Sequence, residues 1–251
     1  MRHEVMVINL DRSPERLERV GMQLRRLQIL FSRISGVDGS VLSPGHLASL
    51  FATCRYFRPL AKGEAGCYLS HRACWQRVLD QQLDWAIIVE DDVDLTPAFA
   101  DVPAAVAAIR GRWDMIKLSN GWRPRRMWPL ATVGGFQVMA YYKIPAGTQS
   151  YVVSRRGAER LLQQTDEVRR PVDVDLQCWW EHGLEIVGLA PFTVSSPKHG
   201  ESEIWRWSPE TRAPVRRMWF ALWFWAMNSR SWLRVRRQRR EWAAVSGATT
   251  S

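Results

Sequence analysis

Short unbroken apolar runs take turns along the chain with stretches whose apolar residues recur every three or four positions. Residues 5–10, "VMVINL", form a run of the first kind and predict a buried strand. In residues 14–27, Leu17, Val20, Leu24 and Leu27 fall at helical spacing, with Ser13 as N-cap, Pro14 at the first helical position and Glu15 in the first turn. A second run, "ILFSRISGVDG" (29–39), closes on Gly36 and Gly39 around Asp38, so the opening forty residues predict a β-α-β unit with a crossover helix.

The alternation continues downstream. "GEAGCYLSHRACWQRVLDQQ" (63–82) is amphipathic and predicts a helix that leads into a strand at "WAIIVEDD" (85–92). Helices are expected at 102–111, 155–168 and 172–183, strands at 113–119, 150–154 and 184–191, and a hairpin at "FQVMAYYKI" (136–144). Strands interleaved with helices in this way predict an α/β fold around a mixed central sheet.

Composition changes the picture mainly at one end. The 251 residues are 46% hydrophobic and 24% charged, enough for one large domain or a domain with an appendage. Of the net charge of +10, +8 lies in residues 212–251, which hold nine arginines and one acid, Glu241. Basicity confined to a tail argues against a nucleic-acid groove, whose arginines spread over the fold. The tail also carries an aromatic run of about ten residues, half of the roughly twenty that span a bilayer. Tryptophan and arginine on one short helix suit the headgroup region of an anionic membrane surface; the other reading is a helix packed on the domain. The boundary is expected between a domain at 1–211 and a helical tail at 212–251. Cys54, Cys67, Cys74 and Cys178 form no CxxC pair, and the opening apolar run is too brief for a secretory leader. Both features are those of reduced core cysteines in a cytoplasmic protein, peripheral on the cytosolic face of the membrane.

The chemistry concentrates at residues 87–97, "IIVEDDVDLTP", where a buried strand ends on Glu90, Asp91, Asp92 and Asp94. Clustered carboxylates repel more strongly the lower the local dielectric, so a divalent cation, basic side chains or protonation must compensate them. Hard oxygen ligands suit Mg²⁺ or Mn²⁺. GxGxxG and P-loop fingerprints are absent, which excludes the usual dehydrogenases and Walker-type ATPases. Two enzyme classes place acids in this way. Haloacid-dehalogenase-like phosphatases use hydrophobics followed by DxDx(T/V), which would make Asp92 the nucleophile and Asp94 the general acid. Their motif opens the domain, whereas here a β-α-β unit precedes it. Nucleotide-sugar transferases of the GT-A fold hold a cation on the donor diphosphate at such a strand end, where negative charge grows as the sugar departs.

The ordered motifs "VINLDRSPERLERV", "GVDG", "GEAGCYLSHRACW", "IIVEDDV", "WDMIKL", "YVVSRRGAERLL", "PVDVDL" and "GLAPFTV", with "SEI" near the end, resemble those of glycosyltransferase family 25. That family includes lipooligosaccharide galactosyltransferases and collagen galactosyltransferase domains. The resemblance implies a GT-A-like, Rossmann-type fold. It implies an inverting transfer of a hexose, most often galactose, from a UDP-sugar to a saccharide acceptor such as lipopolysaccharide, with Mn²⁺ or Mg²⁺ as cofactor.

Carried over by motif, Asp92 and Asp94 would hold the metal with His199. Glu90, Asp91, Asn9, Asp11, Arg16, Asp38, Glu64 and His71 would face the donor. Asp173, or alternatively Asp175, would be the catalytic base that an inverting displacement requires. A third reading keeps the fold but not the catalysis: a nucleotide-sugar-binding partner of other assembly enzymes.

Overall fold

The computed structural model describes residues 1–121, 125–163, 168–196 and 214–246. Its centre is an eight-stranded mixed sheet. Strand β1 (His3–Asn9) lies parallel to β2 (Ser32–Ser35) on one side and to β3 (Trp85–Glu90) on the other. Helix α1 (Pro14–Arg26) makes the predicted crossover. Ser13 occupies the N-cap position but its hydroxyl caps nothing; its carbonyl instead accepts from the Asn9 side chain at 2.8 Å, tying the loop to the strand end.

After β2 the chain turns through Gly39–Val41 into α2 (Pro44–Leu50), a helix the periodicity did not announce, and then α3 (Lys62–Asp80). Helix α3 presses against the turn so closely that a Cβ on Gly39 would lie 1.7 Å from the Lys62 carbonyl oxygen, and one on Gly66 would lie 2.4 Å from that of Val37. Only glycine fits at either side of such a contact, which explains why "GVDG" and "GEAG" both carry it.

Beyond β3 come the short β4 (Asp94–Leu95), α4 (Val102–Ala108) and β5 (Met115–Lys117). The hairpin is larger than its sequence signal: β6 (Met127–Val133) and β7 (Phe136–Tyr141) turn at Gly134 and Gly135, both at positive φ, so "FQVMAYYKI" supplies its second strand only. Pro129 hid the first strand. It is tolerated because β6 is the edge of the sheet and its register shifts beside the proline.

Strand β8 (Ser150–Ser154) runs antiparallel between β3 and β5, and α5 (Arg155–Leu162) follows it. The helix expected at 172–183 breaks at Cys178 into α6 (Val172–Gln177) and α7 (Trp179–His182). Strand β9 (Ile186–Ala190) lies parallel to β5, and β10 (Val194–Ser195) pairs with β4 apart from the main sheet. The order across the sheet is β2-β1-β3-β8-β5-β9-β7-β6.

Strand alternation divides the core into two layers. Met6, Ile88, Met115, Tyr151 and Val153 face α3, α5 and α6, while Val5, Val7, Ile87, Val89, Ile116 and Val152 face α1 and α4. All four cysteines are free thiols.

Two helices close the described chain, α8 (Pro214–Ser229) and α9 (Ser231–Ser246). Helix α9 packs on the sheet over β6 and β7. Trp242 joins the second core layer against Gly111, Arg234 donates to the Tyr141 carbonyl at 2.6 Å, and Gln238 donates to Glu185 at 3.0 Å. Helix α8 rests one side on Tyr56, Phe57 and Trp180.

Candidate functional site

Parallel strands β1 and β3 end side by side, and their carboxyl ends form one rim of the site. Strand β3 is completely apolar and buried as far as Val89, then delivers Glu90, Asp91 and Asp92 in succession. The same alternation that sorts the core sorts these acids. Glu90 follows Ile88 toward α3, and Asp91 follows Val89 toward α1.

On the α1 side, Asp91 accepts from Asn9 Nδ2 at 2.7 Å, and the Arg16 guanidinium stands 3.8 Å away. Burial raises the Asp91 carboxyl above its ordinary value, against the pull of Asn9 and Arg16.

On the α3 side, His71 is 1% exposed and fully engaged. Trp75 Nε1 donates to the Tyr151 hydroxyl at 2.9 Å; that hydroxyl lies 3.0 Å from His71 Nδ1, and His71 Nε2 lies 3.2 Å from Glu90 Oε1. Both ring nitrogens of His71 are thus engaged, Nδ1 with the Tyr151 hydroxyl and Nε2 with Glu90, which fixes the ring between β8 and the end of β3. Thr148 donates to the same Oε1 at 2.5 Å. Burial pushes the Glu90 carboxyl up, but the hydrogen bond and charge of His71, the bond from Thr148 and the Lys117 charge hold it below its ordinary value.

Asp92 is the contrasting case. Its Oδ1 is buried with no hydrogen-bond partner among the described residues. Burial first, and then repulsion from Glu90 and Asp91, raises its carboxyl to about 6.

From α6 comes Asp173, whose carboxylate accepts from the backbone N–H groups of Val174 and Gly147. Burial raises it too, opposed by those bonds and by the Lys117 charge. Lys117, at the end of β5, is 1% exposed; it donates to the Gly147 carbonyl, and burial lowers its ammonium to about 8 against the attraction of Asp173 and Glu90.

The fold thus gathers Asn9, Arg16, His71, Glu90, Asp91, Asp92 and Asp173 at one end of the sheet. Other residues singled out from the sequence sit elsewhere or are committed. Asp11 pairs with Arg33 and Ser35 on the exposed rim, and Asp38 pairs with Arg12 and accepts from Ser40. Asp94 lies in β4, paired with Arg19. Glu64 holds Arg58 through two bonds, at 2.9 and 2.6 Å, and accepts from the Ala61 N–H that begins α3. Asp175 is fully occupied by Tyr68 at 2.8 Å, Arg170 at 2.8 Å and His182 at 3.2 Å. His199 lies outside the described residues.

Sequence reasoning missed Lys117, Thr148 and Tyr151. The only signal for Lys117 was a lone charge inside the apolar "WDMIKL". The other two carried none, because their meaning lies in β8 pairing alongside β3.

Chemically, a carboxylate with one buried oxygen that has no partner among the described residues, beside two further acids, fits a divalent cation. Asp92 offers the free oxygen, and Glu90 keeps Oε2 clear of its His71 and Thr148 bonds. A different cluster, Cys67, His71 and Glu90, brings its ligand atoms within 4.8 Å of one another. The His71 to Glu90 hydrogen bond already accounts for that approach, and burial raises the Cys67 thiol well above its ordinary value, away from the thiolate a metal requires.

Comparison with known proteins bears on this arrangement. Residues 2–122, which include β1, α1, α3 and the Glu90–Asp92 acids, match the family described as "Glycosyltransferase family 25 (LPS biosynthesis protein)". The chain is 29% identical over 183 residues to procollagen galactosyltransferase 1 of Danio rerio, covering 68% of this chain and 30% of that one. It is 30% identical over 239 residues to the "Probable inactive glycosyltransferase 25 family member 3" of Bos taurus, covering 84% and 39%. The chain therefore spans less than half the length of these curated relatives. Among solved structures, A197 from STIV shares 13% identity at a TM-score of 0.40, over 79% of this chain and 87% of that one, too slight a likeness to speak for the fold.

Proposed function

From the premise that the chain belongs to glycosyltransferase family 25, we propose that it is an inverting, cation-dependent transferase with a GT-A-like domain at 1–211. It moves a hexose, galactose by similarity, from a UDP-sugar to a saccharide acceptor. The observation that carries the reading is Asp92: a carboxyl raised to about 6 at a strand's carboxyl end, flanked by Glu90 and Asp91, whose buried Oδ1 has no hydrogen-bond partner among the described residues.

In this reading Asp92 holds Mn²⁺ or Mg²⁺, with His199 as the proposed second ligand. The cation supplies charge to offset the negative charge growing on the departing diphosphate. Glu90, fixed by His71 and Thr148, presents its free oxygen to donor hydroxyls, and Asn9 and Arg16 hold Asp91 in place beside them. Asp173 takes the proton of the attacking acceptor hydroxyl; burial raises its carboxyl above the ordinary value, which makes it a stronger base. The basic aromatic tail at 212–251 extends the reading to an acceptor carried on lipid or lipopolysaccharide at the cytosolic membrane face.

Two other readings remain distinguishable. A phosphatase using Asp92 and Asp94 needs Asp94 as general acid, and Arg19 already pairs with that residue. A non-catalytic member accords with relatives whose names call them inactive.

Calorimetry of UDP with Mn²⁺ and with EDTA, followed by a panel of UDP-hexoses, decides among them. The transferase reading expects cation-dependent UDP binding that Asp92→Asn abolishes, together with turnover. Binding without turnover or donor hydrolysis assigns the non-catalytic role. No binding by the folded protein, with phosphate released from sugar phosphates, assigns the phosphatase.

A further inference from the structure

Helix α8 has two unlike faces. Phe220, Trp223 and Phe224 turn inward: Phe220 meets Tyr56 at 5.2 Å between ring centroids, and Trp223 and Phe224 meet Trp180 at 5.8 and 5.9 Å. The Arg170 guanidinium caps Trp223 at 5.1 Å and Lys143 caps Phe224 at 4.9 Å. The other face has no such cover. Val215, Met218, Trp219, Leu222 and Trp225 fall at i, i+3, i+4, i+7 and i+10, one stripe of the helix, and are 60, 52, 64, 50 and 72% exposed. Elsewhere among the described residues, exposed large apolar side chains are scattered singly, at Met1, Met22, Leu30 and Val41, except for Trp232, Leu233 and Val245 on the neighbouring α9.

A contiguous exposed apolar patch on a folded protein marks a surface that something covers. Its chemistry narrows the occupant. Arg216, Arg217, Arg236, Arg237, Arg239 and Arg240 on these two helices, and Arg230 in the turn between them, are all exposed, against one acid, Glu241. A second copy of the chain docked across a two-fold axis would set arginine against arginine. An anionic lipid surface satisfies both features, since indoles settle at the headgroup level and each guanidinium gains from the negative surface potential. No described helix is long and apolar enough to cross a membrane, so the helix lies in the interface plane.

We infer that α8 is an in-plane anchor that seats Trp219, Leu222 and Trp225 among anionic headgroups while its inner aromatic face stays docked on Tyr56, Phe57 and Trp180. The inference deepens the membrane clause of the proposed function by naming the surface that makes the contact. Because Tyr56 lies close enough to Asp173 and Glu64 to feel their charges, the anchored helix also buttresses one wall of the candidate site.

The test is co-sedimentation of the full chain with phosphatidylcholine vesicles that contain or lack phosphatidylglycerol. The inference expects binding that requires phosphatidylglycerol and falls at least about tenfold in the double variant Trp219→Glu, Trp225→Glu. Thermal unfolding and cation-dependent UDP binding should be unchanged in that variant, because both side chains point away from the fold. Equal binding to both kinds of vesicle, or binding that survives the double variant, overturns the inference. So does a dimer, seen by sedimentation velocity, that the double variant dissolves without any vesicle binding. A transferase whose UDP binding is intact and whose vesicle binding is absent refutes the anchor alone; the reverse refutes the transferase reading alone.

Discussion

Asp173 and Asp175 stand two residues apart in the first turn of the same short helix, yet they belong to two different regions of the molecule. Asp175 points into the layer beneath α3, where Tyr68, Arg170 and His182 surround it; burial raises its carboxyl, but these partners hold it below its ordinary value. Arg170 is itself 1% exposed and also binds Glu181 through two bonds. Asp173 points the other way, toward Lys117; burial raises its carboxyl, as it raises that of Asp92, and no guanidinium closes on either within ion-pairing distance among the described residues. Burial of a charge is tolerated in the first region because hydrogen-bonded counter-charge replaces the lost water. The second region keeps the cost, and such uncompensated acids are where a fold has room for a ligand's charge.

The largest effect expected from this contrast is on ligand binding. Asp92→Asn should lower UDP affinity in Mn²⁺ by at least about 100-fold, since a charged ligand to the cation is lost; titration calorimetry reads it. An affinity unchanged by the exchange would place the cation elsewhere and dissolve the contrast.

Next comes stability. Asp175→Ala strands the buried Arg170 and Tyr68 groups and should cost about 3–5 kcal/mol in urea unfolding. Asp173→Asn removes a charge that nothing fully compensates and should leave stability equal or higher. Equal losses at both positions would show that the two regions do not differ.

A pH series sharpens the same point on Asp92. Its folded-state value of about 6 lies above the ordinary 3.8, so the folded protein binds the extra proton between those values. Its contribution to stability is full below pH 3.8 and is lost as pH rises through 6. Asp92→Asn is therefore expected to be more stable than wild type at pH 8, by about 3 kcal/mol, and to lose that advantage by pH 4. Thermal unfolding across pH 4–8 measures it, and Mn²⁺ should narrow the gap at pH 8 by stabilising the wild type alone.

Tyr151→Phe removes the hydroxyl that joins Trp75 to His71. Stability should fall by about 1–2 kcal/mol, and His71 loses the Nδ1 hydrogen bond that orients its ring toward Glu90, so turnover should drop with a shifted pH profile. A fall in stability with turnover and pH profile unchanged would make that chain of bonds structural only. The smallest effect belongs to the rim. Arg19→Ala breaks an exposed pair with Asp94 and should change stability by less than about 1 kcal/mol and UDP binding not at all.

Much of this was legible in the chain. The opening β-α-β unit, the helix at α3, the apolar β3 and the acids at its end follow from periodicity, because each is local: an apolar run of five, a stripe at helical spacing, a capping proline. The edge strand β6 was not legible, since Pro129 reads as a breaker until its place at the rim of the sheet is known. Nor was the split at Cys178, where two short helices share what looked like one.

Within the site, the sequence by itself determined which acids sit at the end of β3, and strand alternation determined that Glu90 and Asp91 face opposite ways. Tertiary structure alone decided what each acid meets. Glu90 meets His71 because α3 packs on the face that Ile88 lines, Asp91 meets Asn9 because β1 runs parallel beside β3, and Lys117 arrives from a strand two places away in the sheet. A carboxylate's identity is a local property, but its charge state and free oxygens depend on neighbours tens of residues away in the chain. That is why Asp173 and Asp175 are indistinguishable in "PVDVDL" and opposite in the fold.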